Sequence, residues 1–485
     1  MPRVRRLLTL LPLLLPACGS RTMLNTGTFA VGRDASVDAP EPRTDAPSAP
    51  PEAAAPPFDA AIAPDPCPSA LLAGAPRAMS QNCSTRDGRT RVRGPSNPHM
   101  TWLAPVVPQV PLGMDTQLAA DASGAVYLVA TKSVESSAWL ARLSGETGAV
   151  DWLTPFEPVL SSLWFPAPLL LANGTVEIFG GGATGFGLDR FSVMTGADTT
   201  STLAPGVASG NPAVGADGSL YVAYQGVPPT LNFPTSCEVS RLTADGAVVW
   251  TSTVLDLMGA MDTSGNGSTI ALTADGLVIE ALAVNADASP PFGDLFALDS
   301  ATGATEWELP IGADFIGGPT VASDGSILLL VAPSSGFVGT PTPTTLLVVG
   351  PDGSMKNQVR LGSLDPNGAA ELFGVTLDGA ALIGVSASRG ANDGALALVN
   401  LSASAASAIR WQWMNSSDTF PAATIAADGT IVLATGTAVE GIDPVGGSRL
   451  WSLASPAGCV RDVTLTSSGG LVVLQCDDSV FGAGD

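Results

Sequence analysis

The amino-acid sequence predicts an all-β protein: an eight-bladed β-propeller, with a seven-bladed ring as the alternative, behind a disordered N-terminal linker. Three observations predict it. A two-part phrase recurs along most of the chain at intervals of about 40 to 58 residues, the period of a propeller or β-array. With 54 Gly, 40 Pro and only 13% charged residues, the composition suits many short strands joined by tight turns. The series of phrases also opens on a second half and closes on a first half, as in a ring whose last blade borrows a strand from the N-terminus.

The chain begins as a secretory signal. Arg3, Arg5 and Arg6 precede the nine-residue apolar run Leu7 to Leu15, too short to cross a bilayer, and Pro16-Ala17-Cys18 follows. Cys18 sits where a lipoprotein signal places its lipidated cysteine, so residues 1–18 read as a lipoprotein signal ending on the anchor. Leu15-Pro16-Ala17-Cys18 resembles the lipobox, although Pro16 departs from the usual small or β-branched residue. Plain secretion with cleavage after Ala17 is the other reading. Several acyl chains on one cysteine anchor firmly, at roughly 0.8 kcal/mol per buried CH₂. Gly19 and Ser20 follow with no inner-membrane retention Asp, which by resemblance to enteric lipoproteins implies the outer membrane, periplasmic or surface-exposed.

Residues 19–66 form the linker. Stretches such as Asp38-Ala39-Pro40-Glu41-Pro42 and Ala63-Pro64-Asp65-Pro66 have no apolar periodicity and bury no core. Fully extended, the linker reaches on the order of 150 Å at ~3.1 Å per residue.

Residues 67–485 hold the repeats. The head of each phrase is an apolar run, a turn and a second apolar run, as in Ala213 to Val222 around Asp217-Gly218. Heads fall at Ser123-Gly124, Asn173-Gly174, Asp217-Gly218, Asp275-Gly276, Asp324-Gly325, Asp378-Gly379, Asp428-Gly429 and Ser468-Gly469. Tails, each a strand, a Gly turn and often a Trp, fall near Trp102, Trp152, Thr200, Trp250, Trp307, Gln358, Trp411 and Trp451. Seven head–tail pairs are complete, and the last head needs the first tail. The Asp-Gly steps predict two-residue hairpin turns.

At the tails the residues reach a family. Ala297-Leu298-Asp299-Ser300-Ala301-Thr302-Gly303-Ala304-Thr305-Glu306-Trp307 resembles the tryptophan docking motif of quinoprotein propellers, Ala-x-Asp-x-x-Thr-Gly-Lys-x-x-Trp. Gly441 to Trp451 is a looser copy, and Ala141 to Trp152 a copy one residue longer. The resemblance implies that Trp152, Trp250, Trp307, Trp411 and Trp451 pack structurally between neighbouring blades. It also raises a pyrroloquinoline-quinone dehydrogenase, which holds the quinone with Ca²⁺ on the ring axis beside an Asp base. The chain lacks the adjacent cysteine pair many such enzymes carry, and no Ca²⁺ ligand set matches any position.

Other chemistry is sparse. A formal charge of −23 opposes nucleic acid and anionic lipid as partners. The single histidine, His99, excludes a multi-histidine metal site and leaves little room for a Ser-His-Asp triad. Turn chemistry accounts for Asp217, Asp275, Asp324 and Asp428, so no catalytic and no metal-binding residue is assigned. The Gly-rich run Ile178 to Gly187 precedes no helix, and reads as a flexible inter-strand loop rather than a phosphate cradle. Arg86, Arg89, Arg91 and Arg93 precede Trp102 and read as part of the closing strand, with contact to an acidic partner as the alternative.

The cysteines divide by position. Cys459 and Cys476 flank the last head and are expected to form a disulfide across a hairpin. Cys67 and Cys83 flank a short pre-propeller segment and form a second expected pair, leaving Cys237 buried; pairing of Cys237 with Cys67 or Cys83 is the alternative.

The resulting expectation is a monomeric cell-envelope lipoprotein that displays a propeller as a binding or scaffolding module for an envelope protein or surface ligand. No cofactor and no catalysis are inferred. Its layout is similar to the propeller lipoproteins of the outer-membrane barrel-assembly machinery. The alternatives are a quinone-dependent oxidoreductase of the periplasm or cell surface, using pyrroloquinoline quinone and Ca²⁺, and a carbohydrate-binding adhesin.

Overall fold

The structure, a computed structural model, describes Leu71, Ala75 and residues 87–485. Within that range 106–116, 132–137, 157–166, 183–184, 206, 209–211, 227–235, 257–269, 285–291, 312–313, 316–317, 333–343, 362–369, 386–393, 404–407, 416–421 and 478 are not described. Cys18, Cys67, Cys83 and the linker lie outside the described residues. No helix among the described residues is long and apolar enough to cross a membrane.

The described strands form eight antiparallel sheets, the blades of a propeller. Blades 1 to 7 follow one another along the chain: 119–156, 169–205, 207–256, 271–310, 314–360, 370–415 and 422–454. Blade 8 takes its inner three strands from Val460–Leu465, Leu471–Gln475 and Ser479–Gly484, and its outermost strand from His99–Pro105. His99 pairs with Gly484 and Pro105 with Ser479, so the ring is closed by an N-terminal strand. Innermost strands meet around the axis, and Ala119–Ala120 lies beside Val460–Leu465 where the circle shuts.

Burial follows position in the blade. Second strands such as Ile327–Ala332 are apolar throughout, because both faces press against neighbouring blades. Outermost strands such as Thr305–Pro310 alternate, with the half-buried Trp307 among exposed neighbours. The core is therefore a set of seams. One joins Val472, Leu474 and Val480 of blade 8 to Leu118, Val126 and Leu128 of blade 1; another joins Leu328 and Leu346 of blade 5 to Leu372 and Ile383 of blade 6.

The head turns differ from the sequence expectation. Asp121 N donates to Ala125 O at 2.9 Å and Gly124 N to Asp121 O at 3.1 Å, which encloses three residues rather than two. The same pattern recurs at Thr376–Ala380 and Ala426–Thr430. A type I turn followed by one left-handed Gly gives it, with φ +85° at Gly124, so Asp-Gly supplies a single left-handed position. The head aspartates hold the turn. Asp217, Asp324 and Asp428 each accept an N–H from two residues on, at 2.9–3.1 Å.

The Gly-rich run is a second correction. It forms two paired strands, Thr175–Gly182 and Gly185–Ser192, with Gly180 opposite Gly187 and Gly182 opposite Gly185. Phe179 and Leu188, paired across the hairpin, are buried, and that packing overrides the flexibility of the glycines.

Candidate functional site

The docking motif is shared between blades. In Asp299–Gly303 the Asp299 carboxylate accepts the Thr302 N–H at 2.7 Å and the Thr302 hydroxyl at 2.6 Å, and Gly303 N closes the turn on Asp299 O at 2.8 Å. The tryptophan docked there is Trp250 of the preceding blade, whose Nε1 donates to Ser300 O at 3.2 Å. A Cβ on Gly303 would lie 2.6 Å from its ring. Trp307, at the end of the same motif, docks in turn on Gly353 and donates to Pro351 O at 2.9 Å. Trp152 donates to Val193 O, Trp411 to Pro444 O and Trp102 to Gly145 O, at 3.2, 2.8 and 3.0 Å. A β-bulge beside each of these residues turns the indole toward the next blade.

Two seams use other residues. In blade 5 the tryptophan position is Asn357, not Gln358, because the preceding turn is short; Asn357 Nδ2 donates to Leu401 O at 2.7 Å and Ala403 O at 3.2 Å. In blade 2, Arg190 is the strand partner of Thr200 and donates to Asp245 O of blade 3 at 2.9 Å, while its Nε holds buried Glu177 at 2.7 Å. Burial raises the Glu177 pKa and Arg190 opposes the rise. Trp451 is the exception among the tryptophans. Its Nε1 is buried without a partner, because blade 8 draws its outer strand from the N-terminus and has no turn at that point to supply a carbonyl. The Asp485 carboxylate bridges that gap, accepting from Ser96 N at 2.9 Å and Asn97 N at 2.7 Å.

These contacts assign the turn-bearing rim to architecture. On the opposite rim the strand ends are separated by longer stretches of sequence, as between Gly226 and Ser236, Asp256 and Ala271, and Ala332 and Thr345. Between the rims runs the axis, lined by the innermost strands. On the blade 6 strand Ala370–Val375, Glu371 is solvent-exposed while Ala370 and Leu372 on either side are buried. Blade 6 covers this strand on its outer edge only, which places Glu371 beside the axial space, at the end of the strand away from the head turn. Burial among the surrounding strands pushes its carboxyl up to about 7, with no cation offsetting it. The side chain is closely surrounded by protein yet has accessible surface, so the neighbouring strands raise the carboxyl while water still reaches it.

The other described axial polar groups are engaged or shielded. Asp462 of blade 8 accepts Leu118 N of blade 1 at 2.8 Å, joining the ring across its closure. Arg461 bulges from that strand and donates to Cys476 O at 3.2 Å. Gln117 Oε1 is buried without a partner at the start of the blade 1 strand. Cys459 and Cys476 are joined by a disulfide with Cα atoms 5.5 Å apart, and Cys237 is a buried thiol in blade 3.

Ca²⁺ takes six to eight oxygen ligands. Among the described residues no three carboxylate, histidine or cysteine side chains gather to hold a metal. Asp462 is spent on Leu118 and Asp87 on Arg89, so the described axial walls do not assemble the donor set that a quinone–Ca²⁺ pair needs. A lone carboxyl titrating near neutrality is able to hold a cation or exchange a proton. No charged neighbour contributes to the shift at Glu371.

The fold is an eight-bladed β-propeller. Solved structures similar to this chain include a europium-containing methanol dehydrogenase, with TM-score 0.56 and 11% identity over 82% of this chain and 89% of the other. The quinohemoprotein alcohol dehydrogenase from Comamonas testosteroni gives TM-score 0.57 and 11% identity over 86% and 82%. BamB from Moraxella catarrhalis gives TM-score 0.45 and 17% identity over 80% and 98%. No family model and no curated protein sequence matches the chain.

Proposed function

We propose that the chain is a cell-envelope lipoprotein, held by lipid on Cys18, that presents the propeller as a binding module whose ligand contacts the axial space and the rim of long connections. One observation carries the reading. The turn-bearing rim is committed to holding blades together, whereas Glu371 lies exposed beside the axis with no ion pair among the described residues. A carboxylate held there at neutral pH favours a ligand that brings a positive charge or a hydrogen-bond donor to it. The outer-membrane address rests on Gly19 and Ser20 after the anchor cysteine.

The test has two arms. Intact protein from the native envelope carries radiolabelled palmitate, and Cys18→Ser loses both the label and the membrane fraction; persistent labelling removes the anchor. Purified protein given pyrroloquinoline quinone and Ca²⁺ shows no cofactor absorbance, no dye reduction and an unchanged melting temperature. Dye reduction would instead establish the oxidoreductase. Partners captured by the lipidated protein are lost by Glu371→Arg, and a glycan array reading positive would identify an adhesin.

A further inference from the structure

Innermost strands of a ring have one edge with no strand beside it, and its N–H and C=O groups face the axis. On the turn side of this ring, the chain's own N-terminal segment fills part of that edge. Val375 N of blade 6 donates to Asp87 O at 2.9 Å, Ile425 N of blade 7 to Gly88 O at 3.0 Å, and Thr90 N to Ile425 O at 2.8 Å. Thr424 adds its hydroxyl to Gly88 O at 3.2 Å, and Ala427 N reaches Val92 O at 2.8 Å. The fit is close. A Cβ on Gly88, where φ is +69°, would lie 2.2 Å from Phe373 O, and one on Gly374 would lie 2.3 Å from Asp87 O.

The segment is also pinned by charge. Arg89 donates through Nε and Nη2 to the Asp87 carboxylate at 2.9 and 2.6 Å, with side-chain exposures of 11% and 3%. Burial dominates at Asp87 and raises its pKa, against the pull of Arg89. On the far side of the ring, Leu71 pairs with Leu171 at the inner strand of blade 2 and is itself buried. In a ring of eight, blades 2 and 6 face each other across the axis.

We propose that Asp87–Arg93, with Leu71 opposite, is a plug built into the fold: it closes the turn-side mouth of the axial passage and leaves a blind well, reached only from the rim of long connections, with Glu371 on its wall. An extended segment held by main-chain hydrogen bonds to open strand edges is a β-augmentation made within one chain. It occupies the site that an extended peptide from outside would need.

Two single-cysteine reporters in the full chain test this, with labelling read at each position by peptide mass spectrometry. Thr424→Cys lies under the plug and Glu371→Cys in the well. Gly88→Val undocks the plug through its Cβ. Thr424→Cys is expected to label ~100-fold faster in the Gly88→Val background, the ratio that about three net hydrogen bonds sustain. Glu371→Cys is expected to label at one rate in both backgrounds, since its access does not pass the plug. Equal labelling of Thr424→Cys in both backgrounds would overturn the plug. Acceleration of Glu371→Cys on undocking would overturn one-sided access. Hydrogen exchange guards against an unfolded variant: in Gly88→Val only the amides of the plug contacts, Thr90, Val375, Ile425 and Ala427, lose protection, while the Val222 amide keeps its own.

Discussion

The blade-to-blade dock can be measured at Gly303. Its φ of +74° is shared by the head-turn Gly379 at +83°, but the two differ in what a methyl group would meet. At Gly379 nothing lies within 4 Å, whereas at Gly303 the Cβ would sit 2.6 Å from Trp250 Cε3. Gly379→Ala therefore carries only the left-handed penalty of ~1–2 kcal/mol, reduced by the stiffer unfolded chain to about 1 kcal/mol. Gly303→Ala carries that penalty and also displaces the indole. The Nε1 bond to Ser300 O contributes about 1 kcal/mol. Trp250 is half-buried, so loss of part of an aromatic burial of ~150–250 Å² at ~25 cal/mol/Å² adds about 2 kcal/mol. The expected cost of Gly303→Ala is thus about 4 kcal/mol. Trp250→Ala alone is expected to cost about 3 kcal/mol, and in that background Gly303→Ala should cost about 1 kcal/mol, leaving a coupling near 3 kcal/mol. Urea unfolding followed by far-ultraviolet circular dichroism reads all four variants without relying on the tryptophan signal. If Gly303→Ala costs no more than Gly379→Ala, or keeps its full cost without Trp250, the indole does not dock there.

Three further outcomes follow from buried charge and covalent closure. Arg190→Leu strands the fully buried Glu177 and should cost ~3–5 kcal/mol, while the paired Glu177→Leu/Arg190→Leu variant should fall within about 1 kcal/mol of the parent. Because burial raises the Glu177 pKa from 4.5, the deficit of Arg190→Leu should deepen as pH climbs from 5 to 8 in urea titrations. Glu371, raised from 4.5 to about 7, has the same sign: its proton stabilises the fold below 4.5, and that stability is lost as pH rises through 7. Since water reaches the side chain, the effect is discounted to about 1 kcal/mol, so Glu371→Gln should exceed the parent by that amount at pH 8 and equal it at pH 4. Replacing both Cys459 and Cys476 by Ser opens a loop of 17-residue separation and should cost about 3 kcal/mol, read as a shifted urea midpoint.

Much of the ring was legible because turn chemistry is local. Each head Gly must take a positive φ, so its spacing marks the hairpins, and the order of heads and tails gives the closure. The Cys459–Cys476 disulfide was legible for the same reason, as both residues flank one hairpin. Failures came where a distant partner decided. Only the next blade explains why Arg190 and Asn357 stand in for tryptophan, and Phe179 turns glycines into strand by packing. Arg86, Arg89, Arg91 and Arg93 looked like the closing strand; Arg86 lies outside the described residues, and the strand begins only at His99, with residues 87–92 lying across blades 6 and 7. Nothing in 87–93 alternates, since its contacts are main-chain bonds to strand edges that no sequence pattern records. Glu371 was missed because one Glu in an apolar run carries no signal until the ring surrounds it.

The closing seam shows why plug and seal belong together. Elsewhere a turn joins the third and fourth strands of a blade and offers its carbonyl to the neighbouring tryptophan, or at two seams to Arg190 or Asn357. At blade 8 that covalent link is absent, Trp451 Nε1 has no acceptor, and the strand is held by pairing with Ser479–Gly484 and by Asp485 on Ser96 and Asn97. This strand is joined to its blade by pairing, by Asp485 and by the dock of Trp102 on Gly145 O, with no covalent turn, so this seam is where the ring is expected to open first. The residues immediately before it, Asp87 to Arg93, tie the same stretch of chain to blades 6 and 7. Pulling the outer strand from blade 8 therefore draws on the plug, and undocking the plug lengthens the free arm that the closing strand must recapture. Access to the axis from the turn side and integrity of the ring are controlled by one continuous piece of chain, which makes that mouth costly to open.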